Sequence, residues 1–549
     1  MIKTITLIIL VLFFQIAFSQ TNLTQTQKLA TTCKVWGFLK YYHPRVANGD
    51  FDWDKQLLEV LPKVEQAKTK EEFSKILENW INSLGEIKQI APIVKPKEIE
   101  YFDKNFDLSW FSDTKVFSKN LSQKLKFIEE NRFQGEQHYV GVLGGGNIFV
   151  KNETYSSYPF GEKNYRMLAL FSYWNIMEYF FPYKYLMDTK WDITLEEMLP
   201  LFIKLQSDND FYLGMQKLTV KLNDSHVTFY KYEKANRNYF PAKCKIIDEK
   251  IVVTEIFADS LAKADDIKIG DVITKVNNKT IKEIIQENRD VISSSNEASY
   301  LGRLVKKIMC GSTDSVTLEF LKEGKYTTRV INWYDYHDSH RNEYKKGAGK
   351  KEKFKILENN IGYVNMGILK EKNVTEMTEK LNPTQAIIFD MRNYPNNTFE
   401  DISKFLNDKE KIFAIYTIPD LSYPGKFKWE EGTASGTENT NNYKGKVIVL
   451  LNEESISQSE WTAMCFQTAG NTTIIGSQTA GADGNVSEID YIKAFHNRFT
   501  GIGVYYPDKR ETQRIGIIPD IEVKPTIKGI QEGKDEVLER AIKFIETGK

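Results

Sequence analysis

The 549-residue sequence lacks net charge, clustered cysteines and, after its first 20 residues, any long apolar run. Lys plus Arg and Asp plus Glu number 74 each, which excludes a global attraction to nucleic acid or anionic lipid. The four cysteines lie far apart without metal-type spacing, and a core of this size does not depend on disulfides. No later stretch is long enough to cross a bilayer. What remains is a large globular protein of several domains, whose partners are chosen by local sites.

The N-terminus has the pattern of a secretory signal peptide. Met1–Lys3 supplies a positive start, Thr4–Phe18 is predominantly apolar, and Ala17–Gln20 offers small residues for cleavage. No cysteine follows the apolar run, so we do not expect a lipid anchor. The sequence therefore predicts a signal peptide over 1–19 and a mature protein that is periplasmic or extracellular, without stable membrane insertion.

An internal repeat dominates the N-terminal part of the chain. Two Trp and two Pro recur at one offset of 138 residues, as Trp36, Pro44, Trp53 and Pro62, then Trp174, Pro182, Trp191 and Pro200. Each copy predicts two amphipathic helices joined by a turn that contains Pro. We assign 20–160 to the first copy and its linker, and 161–239 to the second. Only the second copy ends in a histidine, at Asp224–His226, which suggests a duplicated scaffold with one copy adapted to chemistry.

Residues 240–335 are predicted to form a separate β-rich domain. Lys250–Ile256 alternates as a strand, Ala258–Lys263 begins a short helix, and Ile269–Asn277 is a turn that leads into another strand. This order resembles a PDZ domain of the bacterial protease type, which implies binding of an extended chain end as an added strand. The alternative is a β-domain of the same kind without a ligand.

The rest of the chain predicts an α/β layered core. Residues 336–354 are polar and rich in Lys, as in a linker, and strands then alternate with helices over 355–549. The predicted strands are Ile361–Met366, Ala386–Asp390, Lys446–Leu451 and Thr473–Gly476.

Ser457 lies where a predicted buried strand gives way to a helix. Free N–H groups and the positive dipole end at a helix N-terminus can stabilise the oxyanion of a tetrahedral intermediate. However, Ser457 and Glu460 also fit a capping box, in which the serine only caps the helix. The segment by itself favours the cap, and the other motifs of the chain must decide.

Those motifs occur in a familiar order. The turn after Asp390, the segments Gly476–Gly481 and Gln513–Val523, the Ser-x-Ser-Glu of Ser457 and the PDZ-like region together resemble the C-terminal processing (tail-specific) peptidases and their tricorn-core relatives. The resemblance runs from about Arg166 to Val523, and the N-terminal repeat resembles an extension found in Bacteroidetes members. It implies a multidomain α/β fold with a ClpP/crotonase-like peptidase core, an inserted PDZ-like domain and the duplicated helical region.

The resemblance also implies a serine peptidase that cleaves peptides or unfolded proteins without a cofactor or metal, and it leaves homo-oligomerisation open. In the processing branch a Lys in a Gly-Lys-Gly turn activates the serine, but Gly481–Gly484 contains no Lys. The tricorn-like branch uses a His from an upstream Ser-His pair, which Ser225 and His226 match. His226 is therefore the expected general base for Ser457, because an imidazole can take the serine proton at neutral pH.

Two positions depart from that branch. It places a Glu where this chain has Gln513, with Glu511 nearby, and a Gln orients a partner without stabilising an imidazolium as a carboxylate does. The glycines of its oxyanion turn are replaced by Asn396 and Asn397. We therefore expect the Gln458 N–H as the firmer oxyanion donor and Asn396 or Asn397 as the second.

Alternatives remain for several features. Asp338–His340 repeats the Asp-Ser-His trio, but we expect it to be solvated, and His337 with His340 lacks further metal ligands. His43 is expected to be structural or interfacial, and Gly144–Gly146 a flexible turn because it lacks the rest of a phosphate loop. Cys465 is expected to be a buried free thiol.

Two other functions stay open. The altered positions allow a degenerate relative that binds peptides or small apolar ligands without cleaving them. An α/β-hydrolase esterase is disfavoured because no Gly-x-Ser-x-Gly elbow surrounds Ser457.

Overall fold

The computed structural model describes residues 23–94, 97–153, 159, 161–231, 238–335, 352–489 and 495–549. The chain folds as two compact units. The first runs to Leu218 and includes 418–429 and 487–493, and the second holds 219–417, 430–486 and 494–549. The predicted signal peptide, the Asp338–His340 trio and most of the predicted linker lie outside the described residues. Within the described ranges, no helix combines the length and apolarity that a bilayer crossing requires.

The first unit is built on the two copies of the repeat, and each copy contains three helices. These are Gln25–Tyr42, Trp53–Gln66 and Lys70–Ser83, then Lys163–Phe180, Trp191–Lys204 and Asp208–Val220. The two-helix prediction missed the third helix of each copy. In the first copy, the Thr69 side chain caps that helix by accepting from the Glu72 N–H, so a new helix begins after a short break. The shorter elements of this unit are Pro44–Ala47, Ser109–Ser112, Lys119–Glu130, Lys184–Leu186 and the strands Tyr101–Phe102, Val140–Val142 and Ile148–Val150.

The repeated tryptophans explain why both copies fold alike. Trp36 and Trp53 each donate an indole N–H to the other's backbone carbonyl, at 3.2 and 3.1 Å. Trp174 and Trp191 make the same exchange at 3.0 Å each. Because a buried indole N–H needs an acceptor, this exchange fixes how the first two helices of each copy pack.

The β-rich region of the second unit is a sheet backed by a helix. Its strands, in spatial order, are Lys325–Asn332, Ser315–Lys322, Val272–Val276, Lys250–Ile256 and Ala242–Ile247, with Lys279–Thr280 paired to the third of them. The helices are Asp259–Ala264, Ile281–Glu287 and Glu297–Ile308, and a small sheet joins Asn238–Tyr239, Cys310–Gly311 and Tyr334–Asp335. Apolar side chains of alternating strand positions form its own core, so this region has the organisation of a domain.

The remaining part of the second unit contains a six-stranded sheet. In spatial order its strands are Phe354–Leu357, Ile361–Asn365, Ala386–Asp390, Lys446–Leu451, Thr472–Gly476 and Ile521–Glu522. All neighbouring pairs are parallel except the first. The carboxyl ends of parallel strands therefore meet at one edge, where the loops of an open α/β sheet form sites.

The other elements complete this core. The helices are Val374–Leu381, Phe399–Leu406, Gln458–Gln467, Ile527–Gln531 and Glu536–Thr547, with short 3-10 turns at Glu358–Asn360 and Glu371–Asn373. The further strands of this unit are Thr228–Lys231, Phe495–Thr500 and Gly503–Tyr505. The strands Lys411–Pro419, Phe427–Ser435 and Val486–Ile489 each include residues of both units. Phe495–Thr500 pairs antiparallel with Thr228–Lys231, which begins two residues after His226.

Candidate active site

Ser457 occupies a strained turn between the strand Lys446–Leu451 and the helix Gln458–Gln467. Its φ of 56° and ψ of −116° lie outside the regions open to most residues. Such a backbone costs on the order of 1–3 kcal/mol and persists only where the surroundings impose it. The glycines of a nucleophile elbow are absent, but a strained serine between a strand and a helix is the same kind of geometry.

The Glu460 carboxylate imposes this conformation. It accepts hydrogen bonds from the backbone N–H of Ser457 at 3.1 Å, Gly481 at 2.7 Å and Ala482 at 3.0 Å, and from the Thr479 hydroxyl. Burial raises the pKa of Glu460, and the hydrogen bonds from Thr479 and these backbone groups oppose the increase. The capping-box glutamate therefore holds the serine turn against the loop that follows the next strand.

Ser457 and Glu460 form a capping box, in which the Ser457 side chain faces the Glu460 backbone N–H and the Glu460 carboxylate accepts from the Ser457 N–H. The next residue, Gln458, begins the helix, and its backbone N–H has no acceptor among the described residues. A partly exposed hydroxyl thus lies beside an unused N–H donor at a helix N-terminus. This is the arrangement that a nucleophile and an oxyanion donor require.

The two asparagines of the neighbouring turn differ. The Asn396 N–H donates to the Met366 carbonyl at 3.4 Å, and its side-chain amide donates to Gly367 and Leu369. Asn396 is therefore engaged in shaping the turn. The Asn397 N–H has no acceptor within the described part of the chain, and its residue is exposed. Of the pair, Asn397 is the one with a free backbone donor.

His226 follows the last helix of the second repeat copy, after a turn in which Asn223 has a φ of 50°. Its ring is buried, with 5% of the residue exposed, and its Nδ1 lies 2.9 Å from the Thr500 hydroxyl. Burial lowers the pKa of His226 to about 4, the Asp224 carboxylate opposes that shift, and Arg498 and Arg303 add to it. The imidazole is therefore neutral at physiological pH, as a general base must be.

Asp224 organises the histidine in the same way that Glu460 organises the serine. Its carboxylate accepts from the backbone N–H of His226 at 2.9 Å and from the side-chain amide of Gln513 at 3.2 Å. It also accepts from Thr500 twice, from the backbone N–H at 2.8 Å and from the hydroxyl at 2.9 Å. Gln513 thus bonds to Asp224, while its own carbonyl oxygen has no partner among the residues that the structure describes. Asp224 and Thr500 are both completely buried.

Ser225 tethers the histidine to the loop that also holds the serine. Its hydroxyl donates to the Ala480 carbonyl at 2.7 Å and accepts from the Ser295 N–H at 2.8 Å. The same loop accepts from the Ser457 N–H through the Ala482 carbonyl at 2.9 Å. Ser225 is completely buried, and these hydrogen bonds fix the backbone position from which His226 extends.

Among the described residues, no hydrogen bond links the Ser457 hydroxyl to His226. Catalytic contacts are often loose without substrate and tighten when it binds. Glu511 forms an isolated backbone bridge with Tyr505. His43 belongs to the first unit, where its ring is buried and unpartnered and burial lowers its pKa to about 4.

Asp224, Thr500 and Glu460 were not among the residues expected from the sequence to act in the site. Asp224 was part of the Asp-Ser-His trio and Glu460 of the capping box, so both were visible but assigned no role. Thr500 ends a strand with no local motif, and only the pairing of that strand with Thr228–Lys231 places it beside His226. Over the described ranges, no cluster of His, Cys, Asp and Glu could hold a metal ion.

A groove lies on the PDZ-like region beside this site. The edge strand Ala242–Ile247 and the helix Glu297–Ile308 enclose a cavity of about 490 Å³ with apolar lining from Ile246, Leu301 and Val305. The cavity extends to Glu453 and Glu454, shortly before Ser457. Lys245 pairs with Glu453, and Lys243 and Lys306 pair with Glu454. An edge strand beside a helix is the geometry that accepts an added peptide strand.

Two regions of the chain match the sequence models of known families. Residues 360–523 match the sequence model of Peptidase family S41, and residues 230–297 match that of the PDZ domain. The chain therefore carries a serine peptidase core of family S41 with a PDZ domain. The expected multidomain α/β fold, with a β-rich insert and an N-terminal helical region, is confirmed.

Solved structures resemble the chain in fold. Mature CPAF complexed with lactacystin has a TM-score of 0.56 at 11% identity, covering 69% of this chain and 98% of that one. A further structure of mature CPAF has a TM-score of 0.54 at 11% identity, covering 70% and 98%. A putative peptidase from Parabacteroides merdae is 18% identical, with coverage of 69% and 95% and a TM-score of 0.42. No curated protein matches the chain.

Proposed function

We propose that the chain is an exported serine endopeptidase of the serine–histidine, tricorn-like type, with Ser457 as nucleophile and His226 as general base. One observation carries this proposal. The strained Ser457 presents its hydroxyl next to the unused Gln458 N–H, while the neutral His226 is tethered to the same loop through Ser225.

In this mechanism the Ser457 oxygen attacks the scissile carbonyl as its proton passes to His226 Nε2. The oxyanion that forms is stabilised by the Gln458 N–H, with the Asn397 N–H as the second donor. Collapse of this intermediate breaks the C–N bond, and the leaving amine takes the proton from His226. Water then attacks the acyl-enzyme by the same route, so the acid is released and Ser457 recovers its proton.

The groove on the PDZ-like region binds the substrate. An extended chain end or an unfolded segment adds to the free edge of Ala242–Ile247, and its apolar side chains enter the cavity lined by Ile246, Leu301 and Val305. Because Glu453 and Glu454 line the cavity, a bound chain is held close to the turn that carries Ser457.

Labelling with a fluorophosphonate probe tests the nucleophile. We expect the wild type to be labelled at Ser457, and Ser457→Ala and His226→Ala to lose labelling. Ser459→Ala is the matched control, since Ser459 is a buried serine on the same helix and should leave labelling intact. Equal labelling of Ser457→Ala and the wild type would refute the assignment.

One observation favours a second function, that of a peptide-binding relative without catalysis. Gln513 replaces the expected glutamate, and its carbonyl oxygen is buried without a partner. Titration calorimetry with unfolded peptides separates the two. Tight binding with no hydrolysis over long incubation supports the binding function, whereas product formation supports the peptidase.

Export is a separate part of the proposal and rests on the N-terminal sequence. We expect the mature protein in the periplasmic or extracellular fraction, with a new N-terminus at or near Gln20. Recovery of the chain with Met1–Lys3 still attached, in the cytoplasmic fraction alone, would contradict it.

A further inference from the structure

We propose that Thr500 and Asp224 are the positioning residues of the general base, with the Thr500 hydroxyl joining the Asp224 carboxylate to His226. This inference rests on the proposed function, because it concerns how the base of that function is held. Thr500 and Asp224 thereby orient the histidine, a role for which the sequence offered Gln513 and Glu511 as candidates.

Three atoms form a continuous chain in the buried interior. His226 Nδ1 lies 2.9 Å from Thr500 Oγ1, and Thr500 Oγ1 lies 2.9 Å from Asp224 Oδ1. The Thr500 backbone N–H adds a second bond to Asp224 Oδ2, at 2.8 Å. With both residues completely buried, no water competes for these groups, so the side chains have little freedom to move.

The donor and acceptor roles follow from counting protons. The other three groups bonded to Asp224 are N–H donors: the backbone N–H groups of His226 and Thr500, and the side-chain amide of Gln513. The Asp224 carboxylate therefore acts as an acceptor. The Thr500 hydroxyl has one proton, which it gives to Asp224, and it must therefore accept from His226. A neutral imidazole that donates from Nδ1 has its lone pair on Nε2. The chain thus selects the tautomer that can take a proton from Ser457.

The same chain supports the charged state of the base. Burial and the guanidinium groups of Arg498 and Arg303 disfavour a proton on His226, and the Asp224 carboxylate is the group that favours one. When His226 gains the serine proton, Thr500 lies directly between the new cation and the carboxylate. A direct carboxylate–histidine contact does this work in the serine–histidine–aspartate triad, and here a hydroxyl intervenes.

Gln513 completes the arrangement as a support for Asp224. Its amide donates to Asp224 Oδ1 at 3.2 Å, on the same oxygen that accepts from Thr500. A glutamate at this position would place a second carboxylate against Asp224, and like charges at this distance repel. The glutamine is therefore consistent with a carboxylate that comes from Asp224 instead.

Rates of fluorophosphonate labelling of Ser457 test the positioning role. Thr500→Val keeps the volume and removes the hydroxyl, so we expect labelling to slow by at least about 10²-fold. Thr500→Ser keeps the hydroxyl and should recover to within about threefold of the wild type. Thr417→Val is the matched control, since Thr417 is a buried strand threonine whose hydroxyl has no partner among the described residues. Wild-type labelling of Thr500→Val would overturn the proposal.

A second measurement keeps this proposal separate from the proposed function. In protein labelled with ¹⁵N-histidine, two-bond proton–nitrogen spectra identify the tautomer of His226 without any turnover. We expect Nδ1–H in the wild type and in Ser457→Ala, and a loss of that preference in Thr500→Val. If the probe does not label the wild type, the proposed peptidase function is wrong. The spectra still test whether Thr500 positions His226. An Nε2–H tautomer in the wild type would overturn the positioning role whatever the labelling shows.

Discussion

The nucleophile turn (Asn452–Gln458) and the histidine segment (Lys221–His226) are organised by the same device. Each contains or adjoins one buried carboxylate, Glu460 or Asp224, that accepts four hydrogen bonds. They differ in where the donors come from. Glu460 collects donors from no more than 22 positions away, whereas Asp224 reaches across 276 and 289 positions to Thr500 and Gln513. The nucleophile is therefore fixed by nearby chain, and the base by the tertiary fold.

The two carboxylates also differ in what they hold: Glu460 mainly holds backbone, whereas Asp224 also holds a group that contacts the imidazole ring. Three of the four donors to Glu460 are backbone N–H groups, so this carboxylate fixes a strained main chain. Asp224 additionally binds the one hydroxyl that contacts the imidazole ring. Loss of Glu460 should therefore damage the fold of its turn, and loss of the chain through Thr500 should damage the base.

The largest effect is expected for Glu460→Gln. In either orientation the NH₂ of the new amide faces at least one buried backbone N–H, which leaves buried groups unsatisfied at about 1–3 kcal/mol each. We expect the free energy of unfolding to fall by about 2–4 kcal/mol and Ser457 labelling to slow at least tenfold, measured by urea titration and probe kinetics. Glu522→Gln is the control, because its pair with Lys524 is exposed and worth little. An unchanged free energy of unfolding in Glu460→Gln would contradict the view that Glu460 holds its turn as Asp224 holds the histidine segment.

The next prediction concerns acid pH and tests the histidine segment. Because the pKa of His226 is lowered to about 4, the base stays neutral well below its ordinary pKa of 6.5. The acid limb of Ser457 labelling should therefore have its midpoint nearer pH 4 than pH 6.5. Folding favours the neutral ring, so stability due to this group is lost as the pH falls from 6.5 toward 4. Tryptophan fluorescence at each pH checks that the fold persists, and a midpoint at 6.5 would contradict the buried environment.

The smallest effect on Ser457 labelling is expected for Asp483→Asn, in the loop that supports the nucleophile turn. Both carboxyl oxygens of Asp483 are buried and have no hydrogen-bond partner in the described part of the chain. Burial, together with nearby Glu460, raises the pKa of Asp483 well above the ordinary 3.8. Above pH 3.8 the unfolded state loses this proton first, so the wild type loses stability as the pH rises, at up to about 1.4 kcal/mol per pH unit.

Asp483→Asn has no titrating carboxyl at this position, so it lacks this pH dependence of stability. Urea titrations at several pH values should show Asp483→Asn gaining stability over the wild type as the pH increases, until the raised pKa is reached. Parallel curves for the two proteins would mean that the carboxyl is ionised in the folded state. Labelling of Ser457 should change by less than about threefold, because no hydrogen bond of the nucleophile turn involves the Asp483 side chain among the described residues.

Much of the fold followed from local pattern. The strands Lys250–Ile256, Ala386–Asp390 and Lys446–Leu451 have the predicted bounds, because their apolar runs and alternation match a strand that is buried or paired. The repeat was visible as four residues at a constant offset. Its third helices were missed because their boundaries depend on side-chain capping at a short break, which periodicity does not report.

The site was only partly visible. Ser457 and His226 could be named as candidates because each lies in a short motif. Whether Ser457 is a cap or a nucleophile could not be read from Ser-x-x-Glu, and the capping box does form in the structure. The two roles are compatible, because a hydroxyl that accepts from an N–H keeps its own proton for a base. The sequence left open which residue orients the histidine, with Gln513 as one candidate, and in the structure the Gln513 amide bonds to Asp224.

By itself the sequence determined the strands of the core, the repeated helical scaffold and the short list of chemically capable residues, because propensity, periodicity and motif spacing act over a few neighbouring positions. The tertiary structure alone decided which carboxylate serves which residue. Thr500 meets His226 only because the strand Phe495–Thr500 pairs with Thr228–Lys231, and a pairing across more than 270 residues is set by the packing of the whole unit.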